Sequence, residues 1–196
     1  MNISINHPKD FVIMCDFDDT MNNLLPAWIR WINNTYGYNV DFEQITDWDL
    51  TKVFKGLSQT DICKALHSSE FWSQVEAKDD AVYYIKKLIE EGFQFYVCTS
   101  TDYRLQKDKF DNCLFRLFPY IDRHQIITTY KKQLMRCDIL IDDGSHNIFG
   151  PYIGILMDMP HNRHLGDSVD FRVFNWKEIY NLIHQIYNAA SKEKES

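Results

Sequence analysis

The apolar run Phe11-Val-Ile-Met-Cys15 breaks off into Asp16-Phe-Asp-Asp-Thr20, and a second run, Phe93 to Cys98, breaks off into Thr99-Ser-Thr101. A third, Cys137 to Ile141, ends in Asp142-Asp143, with Lys132 ten positions before Asp142. Taken singly, such acidic or hydroxyl residues are ordinary solvated turns or helix caps, and a lysine is ordinarily a surface residue. Taken in this order, they place carboxylates, hydroxyls and an ammonium behind buried strands. Ligands of an open parallel sheet bind beyond the carboxyl ends of its strands, so these groups would face one crevice. Crowded there, Asp16, Asp18, Asp142 and Asp143 repel unless their protonation changes or a hard cation neutralises them. An oxygen-only donor set without His or Cys favours Mg2+ over zinc. A cation on carboxylates, with a lysine and hydroxyls beside it, can hold a phosphoryl group and absorb its developing charge. A carboxylate can also be the nucleophile, carrying the phosphoryl group as an acyl phosphate. The chemistry these residues spell is phosphoryl transfer.

Continuous apolar runs are the signature of strands buried on both faces. Besides the three above, Gln125–Thr128, Gly154–Met157 and Arg172–Phe174 read as shorter strands. Leu24 to Tyr36 repeats apolar residues at helical spacing, with Pro26 suited to a first turn and Gly37 to a C-cap. Further helices are predicted over 58–67, over 79–91 with Asp79 or Asp80 as cap, over 102–118 before Pro119, and over 177–190. The last residues, SKEKES, read as a frayed charged end. Strands alternating with helices predict an α/β fold with a doubly wound parallel sheet. The stretch 21–78 breaks that rhythm: it is helical and aromatic, and reads as a small cap inserted after the first strand. The core would then be 1–20 and 79–196.

Composition narrows the function classes. With 45% apolar residues, 7 Gly and 5 Pro, the chain can bury one sizeable core and holds no long low-complexity stretch. Its net charge is −7, and its basic runs, such as Lys131-Lys132, are no longer than two residues, a poor match for a nucleic-acid polymer. No apolar run approaches the roughly 20 residues a membrane span needs, and MNISINHPKD lacks the basic and apolar regions of a signal peptide. Five cysteines without a CxxC pair read as reduced thiols in a cytoplasmic setting. The sequence leaves a homodimer open.

The order of the motifs resembles that of the haloacid dehalogenase superfamily: Asp16-Phe-Asp-Asp-Thr20, then Thr99 after FYVC, then Lys132, then Asp142-Asp143 after DILI. The receiver domain of two-component signalling uses similar groups, but its lysine comes last. The resemblance implies a Rossmann-like core with Asp16 as nucleophile and metal ligand. It implies Asp18 as the acid that protonates the leaving alcohol and then the base that activates water. Thr99 and Ser100 would meet the phosphoryl oxygens, and Lys132 would pair with nucleophile and phosphate. Asp16, Asp18, Asp142 and Asp143 would form the Mg2+ site.

DFDDTMNNL, SEFW, VCTST and KKQLMRCDILIDDGSHN together resemble the 5′(3′)-deoxyribonucleotidase family, which implies a nucleoside monophosphate as substrate. Alternatives are another small phosphate ester, such as a sugar phosphate, or a non-catalytic module that binds Mg2+ or accepts a phosphate. In the cap, Trp48, Phe71 and Trp72 are candidates to meet the substrate, because aromatic rings stack on nucleobases. Trp28 and Trp31 read as cap core. His161-Asn-Arg-His164 reads as a polar surface loop rather than a metal site, and His146-Asn147 as a surface turn with the site rim as its alternative. Cys98 reads as packing.

Overall fold

The first apolar run becomes β1 (Val12–Cys15), and Phe11 ahead of it closes the strand's base, its carbonyl accepting from Gln94 N at 3.1 Å. The computed structural model describes residues 7–192; the first six residues and the part of the expected frayed end beyond Lys192 lie outside them. β2 (Gln94–Thr99), β3 (Ile126–Thr128), β4 (Ile139–Asp142), β5 (Ile153–Met157) and β6 (Arg172–Val173) complete one six-stranded sheet of order β3-β2-β1-β4-β5-β6. Every neighbouring pair is parallel. The chain winds outward from β1 to β3, returns to β4 on the other side of β1, and winds outward again. That reversal makes the carboxyl ends of β1 and β4 the switch point of the sheet, where a crevice opens. The doubly wound α/β prediction holds.

Helices α1 (Leu24–Tyr36), α2 (Gln59–Cys63) and α3 (Ser69–Gln74) lie between β1 and β2 in sequence, and α4 (Ala81–Glu90) precedes β2. Gly37 ends α1 in the left-handed region at φ +74°, as its position implied. Neither Asp79 nor Asp80 caps α4 through its side chain: the N-cap is Asp80 at φ +60° without a side-chain bond. The long helix expected over 102–118 starts late. Asp102 Oδ1 accepts from Arg104 N at 2.9 Å, folding the chain into a turn before α5 (Gln106–Lys109). A π-turn, Phe110–Leu114, then separates α5 from α6 (Phe115–Leu117). α7 (Trp176–Lys192) packs behind the sheet and contributes Trp176, Ile179 and Ile183 to the main core with Ile13, Phe95, Val97 and Ile141. A second apolar cluster joins Leu25, Ile29, Ile32, Ile45, Leu50, Phe54 and Ile62 within the 21–78 stretch to Met159. The two ends of that stretch run side by side: Asn23 N donates to Glu76 O at 2.8 Å and Lys78 N to Met21 O at 2.9 Å. Among the described residues, no helix is long and apolar enough to cross a membrane.

Candidate active site

Strand pairing puts the site together. Cys15 is in register with Ile141, and Asp16 N donates to Ile141 O at 2.8 Å, so Asp16 and Asp142 leave the sheet side by side. Lys132, on the 3-10 turn Lys132–Leu134, places Nζ 2.5 Å from Asp16 Oδ1 and 2.6 Å from Asp142 Oδ2. Its own burial pulls the ammonium pKa down, but the Asp16 and Asp142 charges outweigh that and hold it well above the usual lysine range. One oxygen from each of Asp16, Asp142 and Asp143 lies within 4.8 Å of the others. Burial raises the carboxyl pKa of Asp16 and of Asp143, and the neighbouring carboxylates push the same way. Asp143 Oδ2 is buried without a hydrogen-bond partner. That oxygen, 3.4 Å from His161 Nε2 and beside two more carboxylates, fits a hard, oxygen-seeking cation, which these three residues would hold.

Above this floor is a cavity of about 350 Å³, within the size range of small-molecule sites. Its walls bring Leu24, Leu25, Trp28, Ile45 and Leu50 of the 21–78 stretch over Asp16, Asp18, Ser100, Lys132, Asp142 and Asp143. Trp48 is 53% exposed on its wall, with its ring centroid 4.2 Å from that of His161.

The expected residues do not all meet at the cavity. Asp18 stands outside the three-carboxylate cluster: its Oδ2 pairs with Lys109 and its Oδ1 accepts from Asn22 Nδ2 at 3.3 Å. Thr99 is fully buried and does not line the cavity; its hydroxyl oxygen accepts from Lys109 Nζ at 2.9 Å. Ser100 is the hydroxyl on the cavity wall, where it donates to Thr129 O at 2.9 Å. Phe71 and Trp72, expected beside substrate, are packed into the main core and absent from the cavity lining, because α3 turns them toward the π-turn. Trp28 lines the cavity while its indole N–H donates to Ile62 O at 2.7 Å; Trp31 packs edge-on against Tyr36. His161 and Asn162 are buried rather than in a surface loop, since Asn162 Nδ2 donates to Asp143 O at 2.9 Å and to Met157 O at 2.8 Å. His146 and Asn147 both reach the cavity. Burial pushes the Cys98 thiol up to about 11, which keeps it a packing residue.

Asp19 and Lys109 escaped the sequence reading. Asp19 sits at φ +56° and caps α1 by accepting from Leu25 N at 2.8 Å. Lys109 had a signal: it falls on the apolar stripe Leu105–Lys109–Cys113, where a lysine is out of place.

Solved structures of haloacid dehalogenase-like proteins share this fold. A hydrolase of that family from Deinococcus radiodurans R1, with bound phosphate and sodium, superposes at TM-score 0.62 with 12% identity, covering 90% of this chain and 96% of that one. A haloacid dehalogenase-like protein from Agrobacterium tumefaciens C58 gives 0.59 at 13% identity, covering 90% and 99%. Residues 10–190 match the family described as 5′ nucleotidase, deoxy (pyrimidine), cytosolic type C protein, and the chain belongs to it. That family makes it a phosphoric monoester hydrolase of the nucleotidase kind. Among its relatives, a 5′(3′)-deoxyribonucleotidase of Bacillus subtilis 168 is 27% identical over 169 residues, 86% of this chain and 95% of that protein. One of Clostridium acetobutylicum is 29% identical over 165 residues, 83% and 89%.

Proposed function

We propose that this enzyme is a magnesium-dependent nucleotidase that hydrolyses deoxyribonucleoside monophosphates in two steps. The observation that carries the reading is the meeting of Asp16, Asp142 and Asp143 on Lys132 at the floor of a cavity walled by apolar and aromatic residues. Asp16 attacks the phosphorus, the ester P–O bond breaks, and the leaving oxygen takes its electron pair and a proton from Asp18. Water then attacks the aspartyl phosphate, gives its proton to Asp18, and releases phosphate and the Asp16 carboxylate. Lys132 and Ser100 hold the phosphoryl oxygens. Asp16, Asp142 and Asp143 would hold Mg2+, which would neutralise their charge so that an anionic ester could approach. The relatives' names support a deoxynucleotide, and the half-exposed Trp48 ring is the surface on which a base stacks. Residues 21–78 act as the cap, hinged where Met21–Asn23 and Glu76–Lys78 run together. The free cysteines, all but Cys63 buried, suit a cytoplasmic protein.

The test is phosphate release from deoxy- and ribonucleoside 5′- and 3′-monophosphates and several sugar phosphates, each with Mg2+ and with EDTA. Turnover of nucleotides that EDTA abolishes and Asp16→Asn removes is the expected result. Turnover of sugar phosphates alone would keep the chemistry and discard the substrate; no turnover would discard both.

A further inference from the structure

Taking an ammonium out of water is costly unless it is well paired, and among the described residues two lysines are buried. Lys132 belongs to the cation site. Lys109 is 1% exposed and does not touch that cluster. Its Nζ pairs with Asp18 Oδ2 and donates to Thr99 Oγ1 at 2.9 Å. Aromatic faces wall it in, with Phe17 5.6 Å and Trp72 5.8 Å from the ammonium. Trp72 is itself pinned by its indole N–H donating to Leu66 O at 2.9 Å. Lys109 closes α5 where the π-turn begins, and such turns recur at functional sites because they re-aim a side chain off the regular helical stripe.

We infer that Lys109 is the positioning residue for Asp18. Asp18 is two residues beyond Asp16, close enough for an unrestrained carboxylate to swing into the cluster and become a fourth cation ligand. A carboxylate that ligated the cation would face the cluster rather than the leaving oxygen. The ion pair on one oxygen, with Asn22 on the other, keeps Asp18 at the cavity edge, where it can reach a leaving oxygen. This role rests on the phosphatase reading above for its effect on turnover, but not for its effect on cation binding.

The experiment is a double-mutant cycle of Lys109→Met and Asp18→Asn, followed by steady-state kinetics, thermal melting and calorimetric titration with Mg2+ alone. Lys109→Met is expected to lower kcat about 100-fold, the lower end of what a general acid contributes, with KM changed less than about threefold. Added to Asp18→Asn, it should cost less than about twofold more, because Lys109 acts through Asp18. Losses that multiply would overturn the proposal. Lys109→Met is also expected to bind Mg2+ more tightly than the wild type, and the double variant to return to the wild-type affinity; an unchanged or weakened affinity in Lys109→Met overturns it. Should Lys109→Met fail to melt cooperatively, Asp18→Asn against the double variant decides, since that pair leaves no buried charge in the doubly neutral protein. If the wild type hydrolyses no phosphate ester, the phosphatase reading falls, and the Mg2+ titrations still decide whether Lys109 restrains Asp18.

Discussion

Asp142 is the most tightly held carboxylate of the site, and a glycine makes that possible. Its Oδ1 accepts from Gly144 N at 2.7 Å and from Asn147 Nδ2 at 3.2 Å, while Oδ2 takes Lys132. A Cβ on Gly144 would lie 2.9 Å from Asp142 Oδ1 and 3.0 Å from Asn147 Nδ2, so either the carboxylate or its partner must move. Because misplacing a catalytic group by about 1 Å can cost on the order of 100-fold, Gly144→Ala is expected to lower kcat at least about tenfold. The melting temperature should shift by only a few degrees; an unchanged kcat would show that Asp142 tolerates the displacement. Trp48 makes a different residue-scale prediction. Its ring touches no reacting group and is half free, so Trp48→Ala should raise KM for nucleotides, by about five- to a hundredfold if stacking is worth about 1–3 kcal/mol. It should leave kcat and any sugar-phosphate turnover near wild type. Equal losses on both substrate classes would count against stacking.

At the scale of elements, the loop that carries Asp18 and Asp19 depends on α7, far away in sequence. Trp176 is fully buried at the first turn of that helix, and its indole N–H donates to Thr20 O at 3.0 Å. Trp176→Phe keeps most of the apolar packing and removes that donor, leaving a buried carbonyl unpaired. The expected cost is about 1–3 kcal/mol of stability, read in urea melts, together with a loss of kcat larger than the loss in KM. The sequence exposed the strands and α1 clearly, because continuous apolar runs and a glycine at Gly37 are strong local signals. It also exposed Asp16, Asp142 and Asp143 as a cluster, because their places follow from strand ends, and Lys132 through the order of the motifs. Where long-range contacts decide, it was silent. Phe71 and Trp72 look like any exposed aromatic pair until α3 is seen to lie on the π-turn, and no residue pattern announces that turn. The late start of α5 was hidden in the Asp102 side chain, and the burial of His161 in a bond its neighbour Asn162 makes to Asp143.

The whole molecule stores the charge of its site as a stability that depends on pH. Burial raises the Asp16 and Asp143 carboxyls above the ordinary carboxylate range, so without a cation the folded chain holds those protons more tightly than the unfolded chain. For such groups the stabilisation is complete below the ordinary pKa of about 4 and is lost as pH rises through the raised folded values. Lys132, raised as well, keeps its contribution until pH exceeds the ordinary lysine range, and so does not alter this window. Opposing it are surface carboxyls such as Asp47, lowered by its bond to Lys52, and Asp102, lowered by its bond to Arg104, whose contributions disappear only as pH falls below the ordinary carboxylate range. In EDTA the melting temperature should therefore decline as pH rises above the ordinary carboxylate range, and fall also below about pH 4. A cation on Asp16, Asp142 and Asp143 reverses the sense, because it binds their ionised forms and repels their protons. At a hundred times its Kd, Mg2+ should add about 2.7 kcal/mol at pH 8 and much less at pH 5. Melts at pH 5, 6.5 and 8, in EDTA and in Mg2+, test both halves at once. A melting temperature in EDTA that does not decline at any pH above the ordinary carboxylate range would remove the charge strain from the account. An Mg2+ shift of the same size at both pH values would place the cation on groups other than these buried carboxylates.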